Sequence, residues 1–288
     1  MTLARVSVGL LIFVVCSVLA QAANLSVPKQ VVAGDDLTIR TSGSGDATLI
    51  IVGPGHASRE KVRLGDTVTL KASDISNAGR YIAVLKSSEG NSSTDFFVTA
   101  GAPASISFLA QPSRVPAARP QAIGGTAFVL DRDDNLVTKP MQVKFELAVP
   151  GTAAATSTST TKDGIAWVRM NSGKREGPAQ FVASIGDIST RRVVQQVAAD
   201  PCNLRMRAQR DKNAILVETD PVRDCSGNAV PDGTIVTFTQ VDDQGKTTVD
   251  ARIKRGVAKA ELPAASKATI SVASGVVVGN EIRWGGGL

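Results

Sequence analysis

Short runs of alternating apolar and polar residues make up most of the chain from residue 24 onward. Residues 37–41 (LTIRT) and 143–147 (VKFEL) show this alternation, and turns such as residues 34–36 (GDD) and 162–164 (KDG) separate the runs. A period of two is typical of a half-buried β-strand, because successive side chains point to opposite faces. The pattern therefore predicts an all-β chain built from many short strands.

One stretch of sequence occurs twice. Residues 222–238 (VRDCSGNAVPDGTIVTF) predict a strand end, a tight turn and a further strand, and residues 130–145 follow the same plan more loosely. Two more segments repeat in the same order: residues 162–166 (KDGIA) match 254–258 (KRGVA), and residues 181–184 (FVAS) loosely match 270–274 (ISVAS). The period near the turn is about 93 residues, which is the size of one β-sandwich domain. These ordered matches predict a duplicated domain.

Residues 1–22 have the pattern of an export signal. Arg5 precedes an apolar run over residues 6–19, and Ala20-Gln21-Ala22 fits the small-x-small rule for cleavage before Ala23. A retained membrane anchor is the alternative, but the run is short for a membrane span. The residues before Cys16 lack the small residue of a lipobox, so we do not expect lipidation there.

The remaining chain divides into three predicted modules. Gly101-Ala102-Pro103 marks the first boundary, and Asp200-Pro201 marks the second. We therefore predict domains at residues 24–101, 103–198 and 200–284.

Composition limits the classes of partner. No later stretch is long and apolar enough to span a membrane, so no integral membrane segment is expected in the mature chain. Removal of Arg5 leaves 31 basic and 26 acidic residues, and this mild excess does not predict a nucleic-acid partner. Aromatic residues make up only 4% of the chain, so the core must come mainly from Val, Ile, Leu and Ala.

Two resemblances make the fold class more specific. Residues 74–84 (DISNAGRYIAV) resemble the E–F corner of immunoglobulin-like domains, where a Tyr hydroxyl bonds back to the backbone of the corner. The resemblance implies this structural role for Tyr81, although Ala83 stands where true immunoglobulin domains have a Cys.

The last two modules resemble the bacterial immunoglobulin-like repeats of invasins and intimins. The resemblance rests on the pattern V-x-D-x-x-G-N-x-V followed by V-x-F, D-G-x-A and V-x-A; the matching residues of its first part are Val222, Asp224, Gly227, Asn228 and Val230. The first copy has Asp134 where Gly is expected, and Asp tolerates a left-handed backbone. In the third module Arg255 replaces the Asp of D-G-x-A. Together with the corner of the first module, this resemblance over residues 103–284 implies three tandem immunoglobulin-like β-sandwich domains, with structural roles for Asp224, Gly227 and Asn228.

Cys202 and Cys225 are the two cysteines that remain after removal of the leader. A lone pair in an exported chain predicts a disulfide, which stabilises the fold by roughly 3 kcal/mol in the chain-entropy model. A zinc site is the alternative, but His56 is the only histidine and no third Cys remains to complete it.

No catalytic or cofactor-binding motif stands out. His56 is the one imidazole that could serve a hydrolase, and a solvated loop histidine is the competing interpretation. Residues 131–135 (DRDDN) resemble the start of a calcium loop, but Leu136 and Gln142 occupy positions that require Gly and Glu. We therefore expect no enzyme, no cofactor and no metal.

A basic strand face is the remaining candidate for binding. Arg205 and Arg207 alternate with apolar residues, and Arg252 and Lys254 flank Ile253 in the same way. Such a face could bind acidic glycans or other polyanions, although charges on an outer strand face also serve to prevent edge pairing.

These observations predict an exported, non-enzymatic module protein that acts in adhesion, spacing or scaffolding. The alternative is a carbohydrate- or polyanion-binding accessory protein that uses the basic strand face. Its expected location is the periplasm, the cell surface or the extracellular medium. The expected partner is an envelope or extracellular protein, or a surface glycan, and the sequence leaves the oligomeric state open.

Overall fold

The computed structural model describes residues 23–149 and 151–285, so the predicted leader lies outside the described residues. These residues form 25 β-strands and one short 3-10 helix, Ala72–Ile75, which confirms the all-β prediction. They contain no helix long and apolar enough to cross a membrane. The chain divides into two compact units: residues up to 102 together with the turn 132–135, and residues 103–131 together with 136 onward.

The first unit contains one β-sandwich. Its strands are β1 (Asn24–Ser26), β2 (Gln30–Val32), β3 (Leu37–Ser42), β4 (Asp46–Gly53), β5 (His56–Arg63), β6 (Thr67–Leu70), β7 (Gly79–Ser87) and β8 (Gly90–Thr99). One sheet has the order β1-β3-β6 and the other has the order β2-β8-β7-β4-β5. The apolar face of each alternating strand points into the shared core, where Tyr81 stacks on Phe96 with ring centroids 5.3 Å apart.

The second unit begins with another sandwich of the same plan. Its strands are β9 (Ser105–Gln111), β10 (Arg114–Pro116), β11 (Ile123–Leu130), β12 (Gln142–Ala148), β13 (Ala155–Thr160), β14 (Ile165–Met170), β15 (Gly177–Ile185) and β16 (Ile188–Val197). The sheets have the orders β14-β11-β9 and β10-β16-β15-β12-β13. Phe108, Phe145 and Phe181 meet in the core between them, with ring centroids 5.0 to 6.2 Å apart.

A third sandwich completes the second unit. Its strands are β17 (Pro201–Cys202), β18 (Met206–Asp211), β19 (Ala214–Thr219), β20 (Arg223–Asp224), β21 (Ile235–Asp242), β22 (Gly245–Arg252), β23 (Lys259–Pro263), β24 (Ala268–Ser274) and β25 (Val277–Trp284). Sheets β18-β19-β23 and β22-β21-β24-β25 enclose a core that contains Ile215, Phe238 and Ile270, while β17 and β20 pair separately.

The duplicated stretch has the same backbone in both copies. Asp134 and Gly227, which occupy equivalent positions, both have a left-handed backbone, with φ of 62° and 86°. Bridges join Leu130 to Leu136 in one copy and Arg223 to Ala229 in the other. The further strand begins several residues after the turn in both copies, at Gln142 for β12 and at Ile235 for β21. The intervening residues carry the chain from one sheet to the other.

Candidate functional site: the repeated turn and the joint it forms

The turn after β20 is built around the Asp224 carboxylate. Its Oδ1 atom accepts hydrogen bonds from the backbone N–H groups of Ser226 and Asn228, both at 2.9 Å. An Asp side chain that bonds to the backbone two residues further on is a common way to close a turn. Gly227, with φ of 86°, supplies the left-handed residue that the turn requires. The sequence pattern D-x-x-G-N thus has a local structural cause.

Asn228 connects this turn to the preceding sandwich. Its Nδ2 atom donates to the carbonyl of Lys174 at 2.7 Å, and its Oδ1 atom accepts from the N–H of Glu176 at 3.1 Å. Lys174 and Glu176 lie in the loop between β14 and β15 of the second sandwich. One side-chain amide therefore satisfies a carbonyl and an N–H group of a loop more than 50 residues away in sequence.

Asp224 also bonds outside its own turn. Its Oδ2 atom accepts from the Asn228 Nδ2 atom at 2.8 Å and from the N–H of Ala199, in the linker between the sandwiches, at 3.0 Å. Burial alone would raise the pKa of the Asp224 carboxyl, since the residue is only 4% exposed. The bonds from Asn228, Ala199 and Ser226 outweigh this effect and hold the pKa of the carboxyl below its ordinary value. Asp224 is therefore an ionised anchor at the joint.

Two further connections lie beside this network. Cys202 and Cys225 form the predicted disulfide, which ties β17 to the residue after β20. The Arg119 guanidinium of the second sandwich lies 3.3 Å from the carboxylate of Asp200 in the linker. Both members of this ion pair are more than half exposed, so it adds little to stability compared with the partly buried bonds of Asp224.

The equivalent residue of the first copy, Asn135, makes the same pair of bonds inside the first unit. Its Nδ2 atom donates to the carbonyl of Ser76 at 2.8 Å, and its Oδ1 atom accepts from the N–H of Ala78 at 2.7 Å. In both copies the two backbone groups belong to residues two apart in a loop. Asn135 and Asn228 stand 93 residues apart, so the repeat preserves a contact as well as a turn. Sequence reasoning assigned Asn228 to the turn only and missed this second role.

Tyr81 occupies the expected corner of the first sandwich. The residue is fully buried, and its hydroxyl donates to the carbonyl of Asn77 at 3.0 Å. Burial raises the pKa of the Tyr81 hydroxyl, and the bond to Asn77 only partly offsets that effect. Tyr81 is therefore a neutral structural group that fastens the corner.

His56 does not gather a catalytic set around it. The residue begins β5 and pairs with Gly53 across the β4–β5 turn. Its Nε2 atom is buried without a hydrogen-bond partner, and Ser58 lies further along the same strand. Within residues 23–149 and 151–285, no group of three or more His, Cys, Asp or Glu side chains is placed to hold a metal ion.

The four basic residues do not form one strand face. Arg205 lies just before β18 and Arg207 lies on it, in one sheet of the third sandwich, whereas Arg252 ends β22 in the other sheet, with Lys254 just beyond it. The alternation itself is as expected, since Leu204, Met206 and Ile253 are buried. Alternation predicts which face of a strand is outside but not which strands are neighbours. Arg207 also pairs with Asp220 at 3.1 Å. A polyanion site on Arg205, Arg207, Arg252 and Lys254 stays a prediction.

Comparison with known proteins places the fold. No protein-family model matches the chain, and a search of curated proteins gives no match. Among solved structures, the Escherichia coli adhesin FdeC is similar at 16% identity and a TM-score of 0.58, over 88% of this chain and 91% of that one. The bacterial integrin-binding protein invasin is 11% identical with a TM-score of 0.48, over 90% of this chain and 58% of that one. InvD of Yersinia pseudotuberculosis is 9% identical with a TM-score of 0.47, over 91% of this chain and 95% of that one. The likeness to FdeC shows that the chain has the tandem immunoglobulin-like fold of bacterial adhesins, as the resemblance to invasin-type repeats predicts.

Proposed function

We propose that this protein is exported and acts without enzymatic activity, as an immunoglobulin-like module protein in adhesion, spacing or scaffolding at the cell envelope or outside the cell. The proposed protein has three domains, at residues 24–101, 103–198 and 200–284. Its partner is an envelope or extracellular protein, or a surface glycan.

The observation that carries the proposal is the joint between the second and third sandwiches. Two exposed hydrogen bonds cross it, from Asn228 to Lys174 and from Glu176 to Asn228, and a partly buried bond from Ala199 to Asp224 ties the linker to the third sandwich. Hydrogen bonds are directional, so they oppose rotation as well as separation. A joint of this kind suits a protein that holds binding surfaces at a set spacing, and it would be superfluous in domains that act independently.

Two further observations agree with this role. The fold is that of FdeC, which is an adhesin. The disulfide Cys202–Cys225 suits an oxidising compartment, because disulfides are rare in proteins that stay in the cytosol. Export also follows from the leader pattern of residues 1–22.

The proposal is tested in the native cell by fractionation and cross-linking. We expect the mature chain in the envelope or the medium, with a mass that corresponds to cleavage before Ala23 and an oxidised cysteine pair. Cross-linking of intact cells should then join it to an envelope protein or a glycan. A full-length chain with free thiols in the cytoplasm would contradict the proposal.

A further inference from the structure

The open face of sheet β14-β11-β9 carries a groove. On this face of the central strand stand Gly124 and Thr126, two residues with little or no side chain. Gly124 pairs with Gln111 on one neighbouring strand and with Arg169 on the other. In the same register, Thr126 pairs with Leu109 on one side and with Trp167 on the other. Small residues in the middle and large ones on both sides leave a channel that runs along β11.

The dimensions of this channel suit a chain of sugar rings. Its two walls stand on strands separated by one intervening strand, which places them roughly 10 Å apart. The groove has a volume of about 660 Å³, within the range of small-molecule sites. A Cβ atom on Gly124 would meet only the carbonyl oxygen of Gln111 at 3.5 Å, so the floor is open above the backbone.

Trp167 supplies an exposed aromatic wall. Its side chain is 68% exposed, and Leu109 on the opposite wall is 49% exposed. Neighbours Ala166 and Val168 fill the core, so the alternation of β14 holds the indole outward on a rigid strand. The C–H face of a pyranose ring is apolar and stacks on an indole, while its hydroxyl groups remain free to bond at the sides.

The charge of the residues that line the groove indicates which class of sugar it would bind. Among the described residues, Arg169 is the one charged residue that lines the groove, and no described Asp or Glu lines it. Its guanidinium makes one long bond, 3.4 Å, to the carbonyl of Gln121, and within the described residues it forms no ion pair. A guanidinium presents paired N–H groups that match the two oxygens of a carboxylate. Thr126 and Gln111 add neutral partners for hydroxyl groups.

We propose that this groove binds an acidic oligosaccharide, with one ring stacked on Trp167 and a sugar carboxylate paired with Arg169. The inference names a ligand for the adhesion role and therefore rests on the proposed function. The groove is a different surface from the joint between the second and third sandwiches. It also differs from the basic strand face, since none of Arg205, Arg207, Arg252 and Lys254 lines the groove.

The test is calorimetric titration of the full mature protein with two matched probes. The first probe is the tetrasaccharide of galacturonic acid, and the second is the same tetrasaccharide as its neutral methyl ester. We expect the acid to bind about tenfold more tightly than the ester, because only the acid offers a carboxylate to Arg169. Raised salt should weaken binding of the acid and leave that of the ester nearly unchanged.

Variants locate the site. Trp167→Ala should abolish binding of both probes, whereas Arg169→Gln should reduce binding of the acid to the level of the ester. Gly124→Val fills the floor and should block both. The controls are Arg191→Gln and Val193→Ala on β16, which are exposed residues on the other sheet of the same sandwich and should bind as the wild type does. Trp167 and Arg169 are exposed, so their variants should stay folded, and far-UV circular dichroism checks this for every variant.

Several results would overturn the inference. They are the absence of binding to either probe at millimolar concentration, equal affinity for acid and ester, and unchanged binding in Trp167→Ala. Self-association that Trp167→Ala removes would instead assign the groove to a second copy of the chain. Sugar binding by a chain that stays in the cytoplasm would refute the proposed function but not the groove. An exported chain that binds no sugar would refute the groove alone.

Discussion

The Asp224 carboxylate accepts four hydrogen bonds although the residue is only 4% exposed. Two of these bonds close its own turn, one joins it to Asn228 and one reaches Ala199. An acid that is ionised and fully bonded in the folded state stabilises that state only while it stays ionised. Asp224 therefore links the stability of the third sandwich to pH.

We predict that acid weakens the second unit through Asp224. The folded pKa lies below the unfolded value of about 3.9, so the contribution is fully present above that value and is lost as pH falls through the folded pKa. Asp224→Asn should destabilise the protein by about 1–3 kcal/mol at neutral pH. The new amide nitrogen would replace the oxygen that accepts from Ala199, so the N–H group of Ala199 would lose its acceptor. Urea unfolding followed by tryptophan fluorescence should show a smaller loss of stability below about pH 4 in the variant. Parallel pH curves for variant and wild type would contradict the assignment.

The roles of single residues were predictable as far as they are local. D-x-x-G-N predicted the turn at residues 224–228, and the resemblance of residues 74–84 to an immunoglobulin corner predicted the bond from the Tyr81 hydroxyl to the backbone. The second partner of Asn228 was not predictable in the same way, because Lys174 and Glu176 reach it only through the packing of two sandwiches. The recurrence of Asn at 135 and 228 was the available signal.

Strand β11 shows how an element can depart from its sequence pattern. The strand begins at Ile123 and runs through the adjacent Gly124 and Gly125. Glycine is depleted in strands, so a glycine pair normally marks a turn. Here both serve packing: Gly124 opens the groove, and Gly125 leaves room for the ring of Phe181.

We predict opposite outcomes for alanine at these adjacent positions. In Gly125→Ala the new Cβ atom would lie 2.6 Å from Phe181 Cζ and 3.1 Å from Phe108 Cε2, so the variant should lose about 1–3 kcal/mol of stability through overpacking. Gly124→Ala faces outward and should change the free energy of unfolding by less than about 0.5 kcal/mol. Chemical denaturation of the two variants checks the prediction. Equal losses in the free energy of unfolding would show that strand propensity, and not packing against the aromatic core, sets the requirement for glycine.

The alternation along β14 predicted which side chains are exposed but not that they line a groove. In β14, Ala166, Val168 and Met170 are buried, so Trp167 and Arg169 had to be exposed together. What the sequence lacked was the pairing of β14 with β11 and β9, which sets the two walls. The same lack of pairing information affects the four basic residues, since β18 and β22 lie in different sheets, and a polyanion site on them stays a prediction.

Tandem sandwiches can act as a spacer only if their joints resist bending. The joint between the second and third sandwiches depends on the side-chain amide of Asn228, which donates two hydrogen bonds and accepts one. The disulfide lies within the third sandwich and its linker, so it does not replace these bonds. The orientation of the two sandwiches should therefore respond to a single side chain.

We predict that Asn228→Ala makes the second and third sandwiches reorient independently while both stay folded. The change removes the bonds to Lys174 and Glu176 and leaves the Asp224 turn with its bonds to Ser226, Ala199 and the N–H of residue 228. Residual dipolar couplings should fit one alignment tensor for both sandwiches in the wild type and two tensors of different magnitude in the variant. Asn213→Ala, in the exposed β18–β19 turn, is the matched control and should keep the single tensor. A single tensor in Asn228→Ala would mean that apolar packing or the linker fixes the joint. The Asn228 amide would then form its bonds because the two sandwiches already lie together, and it would not fix their orientation.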